Sequence, residues 1–275
     1  MKKTSVFFTG LILFCSFFSC RKNSSYDLKP NVNVANDVIL SVSSVTTIFT
    51  LVIKARLDPS LALNGYTHID GANIIYDSIR REYDFGFGTT ISPDSVQRTG
   101  TVRVVVTGNL LQKGSYAKVS FQNYYEDSGK VDGNDSIANE GVNTLSQMVY
   151  SVYGFHDTIN KEYGGGIITF NLTASYKTTA SSLVPGTDIL FLLQGSISGL
   201  SSKGYAFSAF VQDTLLDAFS CPWIKGGIMD VHLPAAQVTD GYIDFVNSDG
   251  CSDVIWYYFE GCAFKVRKNK FYLKN

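Results

Sequence analysis

The stretch Gly166–Tyr176 reads GIITFNLTASY: isoleucine, threonine and aromatic residues, opening on a glycine. A short run of β-branched and aromatic residues bounded by turn formers reads as a strand. The same signature recurs outward in both directions. Towards the C-terminus it is met at Ile189–Gln194, Tyr205–Gln212, Gly241–Val246, Val254–Phe259 and Ala263–Val266. Towards the N-terminus it is met at Ala117–Tyr125 and Thr101–Thr107, TVRVVVT. Short strands at this spacing predict a mainly β chain of antiparallel sheets, as a sandwich or an extended meander. Composition agrees. Nineteen Asp stand against five Glu, beside 24 Gly, 16 Tyr and 19 Phe; Asp suits turns, Glu suits helices, and aromatics suit strands.

One segment carries a different period. Val38, Val42, Val45, Phe49 and Val52 recur at spacings of four, three, four and three. This is the stripe of one helix, with Asn36 or Asp37 as its cap and Asp58-Pro59 as its end. Residues 20–34 are polar and aperiodic and read as a flexible tether. The expected organisation is therefore a leader at 1–19 and a tether at 20–34. A helix and first β region follow at 35–182, then a second β region at 183–275, divided at Leu183-Val184-Pro185-Gly186 and packed on the first.

The leader has Lys2 and Lys3, an apolar run from Val6 to Phe18, then Ser19-Cys20. A charged start, a short apolar core and a small residue before the cut describe a secretory signal peptide, too short to span a bilayer. Phe17-Phe18-Ser19-Cys20 resembles a bacterial lipobox, with Phe17 where Leu is usual. The resemblance implies that Cys20 is acylated, by palmitate or a similar chain, and becomes the first residue of the mature protein. Loss of residues 1–19 takes two lysines and moves the formal charge from −1 to −3. That charge leaves no basic footprint for nucleic acid.

The elements GANIIYD, YDFGFG, SPDSVQRTGTVRV, VSFQNYY and VDG, then QGSISGLSSKGYAF, CPWIKGGIMDV and GYIDF…CSDVIWYYFEGCAFKV, together with the lipobox, resemble a group of uncharacterised β-rich envelope lipoproteins of Bacteroidota. The likeness covers most of residues 36–275. It implies a secreted lipoprotein of the cell envelope with no assigned reaction. The basic Arg21-Lys22 after the anchor lacks the acidic residues of surface-exported lipoproteins, which favours an outer-membrane anchor facing the periplasm.

Chemistry is sparse. His68, His156 and His232 lie in no recognisable catalytic setting, and Gly195–Gly199 has Ile197 where a nucleophile elbow needs Ser. Neither a metal nor a cofactor is expected. Two Asp-rich turns, Asp132–Asp135 and Asn247–Gly250 with Asp253, offer oxygen ligands for calcium or form plain Asx turns. Glu260 beside Trp256, Tyr257 and Tyr258 is the leading carboxylate for a glycosidase. Cys221, Cys251 and Cys262 allow one disulfide between two of the three. Trp256 and Tyr258 share one face of a strand, either a binding platform or packing in a strand buried on both sides. Asp-Ser/Thr-aliphatic triplets place Ser78, Ser95, Ser136, Thr158 and Thr214 in a pattern that resembles the O-glycosylation acceptor of exported Bacteroidota proteins. The expected function is non-enzymatic binding or assembly at the envelope. A membrane contact through the acyl anchor and a glycan or envelope-protein partner go with it. The alternatives are a carbohydrate-active enzyme or glycan-binding accessory, and a fimbrial or adhesive subunit.

Overall fold

The computed structural model of the chain describes residues 29–88, 91–161, 165–179, 183–184, 186, 188–234, 239–245 and 251–267. The leader and Cys20 lie outside them. Helix α1 spans Lys29–Leu57 and a short α2 spans Pro59–Asn64. The break falls at the proline, as the sequence indicates. Asp58 is extended and its carboxylate accepts from the Ser60 N–H at 2.7 Å, starting α2 with Pro59 at its first position. Gly65, at φ 74°, closes it.

The start of α1 differs from expectation. It begins at Lys29, inside the stretch read as a tether, because its first turns have partners. Asn31 Nδ2 donates to the Thr239 carbonyl at 2.8 Å and Val34 is fully buried. Asp37 is not a cap. Its carboxylate takes the Lys161 ammonium on one oxygen and the Ser202 N–H, at 2.7 Å, on the other.

Fourteen strands follow among the described residues. β1 is Tyr66–Ile69, β2 Ala72–Asp77, β3 Glu82–Phe87, β4 Arg98–Val106 and β5 Tyr116–Glu126. β6 is Gly129–Val142, β7 Met148–Lys161, β8 Gly166–Thr178, β9 Leu190–Leu200 and β10 Ala206–Ala218. β11 is Cys221–His232, β12 Gly241–Asp244, β13 Val254–Phe259 and β14 Cys262–Arg267. They pair in sequence order as one antiparallel meander, so of the two expected arrangements the meander is the one formed. The sheet continues across 183–186, with Thr169–Thr178 of β8 laddered against Phe191–Leu200 of β9.

The meander curls around α1. Side chains of the helix bond to β7 (Asp37), β8 (Thr46 to the Tyr176 hydroxyl, 2.9 Å), β10 (Thr50 to Asp217, 2.9 Å), the β1–β2 turn (Lys54 to Asp70, 2.7 Å) and the β4–β5 connection (Arg56 to Asn109, 2.9 Å). Phe49 meets Tyr150, Tyr176 and Phe191, with centroids 4.0–5.6 Å apart. This enclosure settles why a run rich in Val, Ile and Thr is helical. Each such residue loses about 0.7 kcal/mol or less of helix propensity, while burying a Val, Ile or Phe side chain is worth about 1.5–3 kcal/mol. The helix has the length and hydropathy of a membrane span, yet 78% of its apolar window is buried inside the sheet.

The calcium turn at Asp132–Asp135 is corrected: these residues are the middle of β6, with a register shift between Asp132 and Asn134. The second Asp-rich turn, 247–250, lies outside the described residues. Cys221 and Cys251 are joined, with Cα atoms 5.7 Å apart. Cys262 is disulfide-bonded as well, to neither of these two, so the expectation of one bridge with a third free cysteine is corrected.

Candidate functional site

The enclosure of α1 is incomplete along one line. From Val38 to Ile53 every helical residue is buried except Ser43, Thr47 and Thr50, and Lys54 extends the same half-exposed stripe. Spacings of four, three and four place these side chains one above another on a single face. That face carries hydroxyls and an ammonium and is partly open, whereas the other faces, mostly Val, Ile, Leu and Phe with Ser41, Ser44 and Thr46 among them, are buried. It floors a slot of about 130 Å³.

Two separate parts of the sheet make the walls. One side is Asp70, Phe87, the β3–β4 loop at Ser92-Pro93-Asp94, and Arg98. The other is the tip of the β10–β11 hairpin, from Asp217 through Phe219, Ser220 and Cys221 to Pro222, Trp223 and Ile224. Both walls are braced. Arg98 grips Asp94 with two parallel bonds, at 2.8 and 2.5 Å, and reaches Glu126 with its Nε at 3.2 Å. Tyr124 donates to the same Glu126 oxygen at 2.8 Å. On the opposite wall, Ser220 is tied to Asp188 through its N–H and hydroxyl, and the Cys221–Cys251 bond fastens the hairpin. Fork-shaped Arg–carboxylate pairs and a disulfide fix a loop more firmly than neutral bonds do.

The charges nearly cancel. Asp70 is paired with Lys54, and Asp94 with Arg98. Burial pushes Asp217 up to about 6, against the opposing hydrogen bond from Thr50 and the nearby Lys54 ammonium. The slot thus offers hydroxyls, one titrating carboxyl and an aromatic rim (Phe87, Phe219, Trp223), with little net charge. An apolar cavity of ~150 Å³ accepts one benzene, so this volume suits a single six-membered ring. Hydroxyl and carboxyl partners select rings that hydrogen-bond.

The residues singled out from sequence fall elsewhere. Trp256 is 38% exposed on the outer face of β13, and Tyr258 beside it stacks on Tyr242 with centroids 4.7 Å apart. Tyr257 and Phe259 face the core. The strand is therefore not buried on both sides, and the aromatic face is external. Glu260 sits exposed in the β13–β14 turn at φ 49°, away from the slot. His156 is exposed in a β7 bulge, and His68 and His232 pair with Asn73 and Asp240 on the surface. Of the five triplet hydroxyls, Ser78 and Ser95 stand exposed in turns, while Ser136, Thr158 and Thr214 are half-buried within strands.

A second carboxyl feature joins two residues that nothing in the sequence marks as neighbours. Asp135 of β6 and Asp157 of β7 are both buried, and one oxygen of each lacks a hydrogen-bond partner. Gly154 makes the room: a Cβ there would come within 2.1 Å of Asp157 Oδ2 and 3.1 Å of Asp135 Oδ1. Burial raises both above the ordinary aspartate value, Asp135 the more, where the Asp157 charge adds to the rise. Two such groups share a proton. Among the described residues no three His, Cys, Asp or Glu side chains gather as a metal set.

Compared with known proteins, the chain matches no family model, no curated protein and no solved structure.

Proposed function

We propose that this chain is a lipid-anchored protein of the cell envelope, tethered through Cys20 to the outer membrane and facing the periplasm, that works by binding rather than catalysis. Its ligand site is the slot over α1. The observation that carries this reading is the stripe Ser43, Thr47, Thr50 and Lys54. In a helix otherwise buried over Val38–Ile53, these side chains open onto a ring-sized cavity whose two walls are braced. Thr50 and Lys54 are held by Asp217 and Asp70, and the half-exposed Ser43 and Thr47 hydroxyls stand beside them on the slot floor, so the floor presents polar groups to whatever enters. A bound ring bearing hydroxyl groups meets them with its own.

The test is a thermal-shift screen of the full mature chain with uncharged single-ring polyols and monosaccharides, with product release followed in parallel. A ligand at a hundred times its Kd stabilises by ~2.7 kcal/mol. Thr47→Phe, which fills the slot, should abolish that shift. Absence of any stabilising compound, or a shift unchanged in Thr47→Phe, contradicts the reading, and released product contradicts the non-enzymatic part. The anchor is tested separately by mass spectrometry of the mature N-terminus. An acylated Cys20 is expected; Cys20 recovered in a disulfide, with Cys262 or otherwise, overturns the anchor.

A further inference from the structure

A different cavity, of about 620 Å³, opens at the far end of α1. Its wall includes Arg56, Asp58, Tyr76, Ser78, Arg81, Tyr83 and Asn109. The arginines mark it. Among the described residues Arg80 pairs with Asp77, Arg98 with Asp94 and Glu126, and Arg103 with Glu82 and Asp84. Arg56 and Arg81 make no ion pair with any described residue, and both line this one cleft. Arg56 is half-buried, and its Nε donates to the neutral Asn109 Oδ1 at 2.9 Å. Arg81 donates through Nη1 to the Thr107 carbonyl at 3.3 Å. Each guanidinium has further N–H donors to offer.

Asp58 also lines the cleft, but its two oxygens are held by Ser60 N–H and the Thr67 hydroxyl, at 2.7 and 2.6 Å. Tyr76 and Tyr83 pack ring on ring with centroids 4.4 Å apart, forming an aromatic wall. A partly buried guanidinium without a counter-charge is unfavourable unless an anion meets it, and its planar fork matches carboxylate and phosphate. We infer that this cleft is an anion site that binds a ligand through a carboxylate or phosphate group held by Arg56 and Arg81. It is separate from the slot and does not depend on it. The two cavities adjoin along α1, with Lys54 lining the slot and Arg56 the cleft, but they share no lining residue.

The experiment is isothermal titration of the full, unmodified chain with phenyl phosphate, benzoate and glycerol 1-phosphate, with phenol as the neutral control. At least one anion should bind, more weakly as salt rises. Arg81→Gln and Arg56→Gln should each weaken it about tenfold, the scale of one charge-assisted bond. Arg81 is exposed, so Arg81→Gln stays interpretable if Arg56→Gln misfolds. Preference for glycerol 1-phosphate would identify a lipid-headgroup source, and preference for the aromatic anions a soluble one. Phenol binding as tightly as the anions, no anion binding at all, or wild-type affinity in Arg81→Gln would overturn the inference.

Discussion

Asp217→Asn should make the protein more stable at neutral pH, by an amount that grows with pH. The Asp217 carboxyl is 4% exposed at the edge of the slot and accepts the Thr50 hydroxyl. Burial moves it from the ordinary 3.8 to about 6. A carboxyl whose folded pKa is raised contributes most when protonated. Its contribution is fully present below 3.8 and is lost as pH rises through about 6. At ~1.36 kcal/mol per pKa unit, the difference amounts to about 3 kcal/mol. Asn keeps an oxygen for the Thr50 bond but never ionises. Urea unfolding of both proteins from pH 4 to pH 8 measures the effect, and subtracting one curve from the other removes the other titrating groups. The advantage of the variant should grow by about 2.5 kcal/mol over that range, most of it gained by pH 6. A difference that does not change with pH would refute the reasoning, because Asp217 would then be ionised throughout, held by Lys54.

Asp135→Asn should act in the same direction, raising the denaturation midpoint at pH 8 with little effect near pH 4. An amide gives the unpartnered Asp157 oxygen a donor, worth about 1–3 kcal/mol. Asp37→Ala strands the buried Lys161 ammonium and should cost about 3–5 kcal/mol in chemical denaturation. Replacing Cys221 and Cys251 by Ser opens a 30-residue loop; the expected loss is about 3–4 kcal/mol, and Trp223 emission should change as the hairpin wall loosens. If the acidic triplets are glycan acceptors, mass spectrometry of protein from an exporting host should find Ser78 and Ser95 modified. Ser136, Thr158 and Thr214 should be bare, since a glycan needs an exposed turn.

Much of the fold was legible locally. Eight strands were marked by β-branched and aromatic runs, and the Val38–Val52 stripe marked the helix and its stop at Pro59. β6 was not, because GKVDGNDSIANEGV is as polar as a loop. It is a strand by virtue of neighbours on both sides and a buried Val131 and Ile137. The start of α1 was missed for a related reason: contacts to Thr239 and Lys161 are some 200 and 124 residues away. The slot was invisible for the same cause. Its floor comes from α1 and its walls from the β3–β4 loop and the β10–β11 hairpin, segments joined by curling of the sheet and by no sequence spacing. Ser43, Thr47 and Thr50 share a helical face, but Ser41, Ser44 and Thr46 carry hydroxyls in the same run and are buried, so the sequence could not mark the open face.

Cysteine scanning of α1 tests the central claim most directly. Single replacements at Ser43, Thr47 and Thr50, and at Val38, Val45 and Ile48, would be treated with a small thiol-specific reagent in the folded protein. The enclosed helix with one open stripe predicts rapid labelling of the first three and protection of the last three. Equal labelling of all six would mean that the sheet does not enclose the helix, and protection of all six that no slot opens onto it.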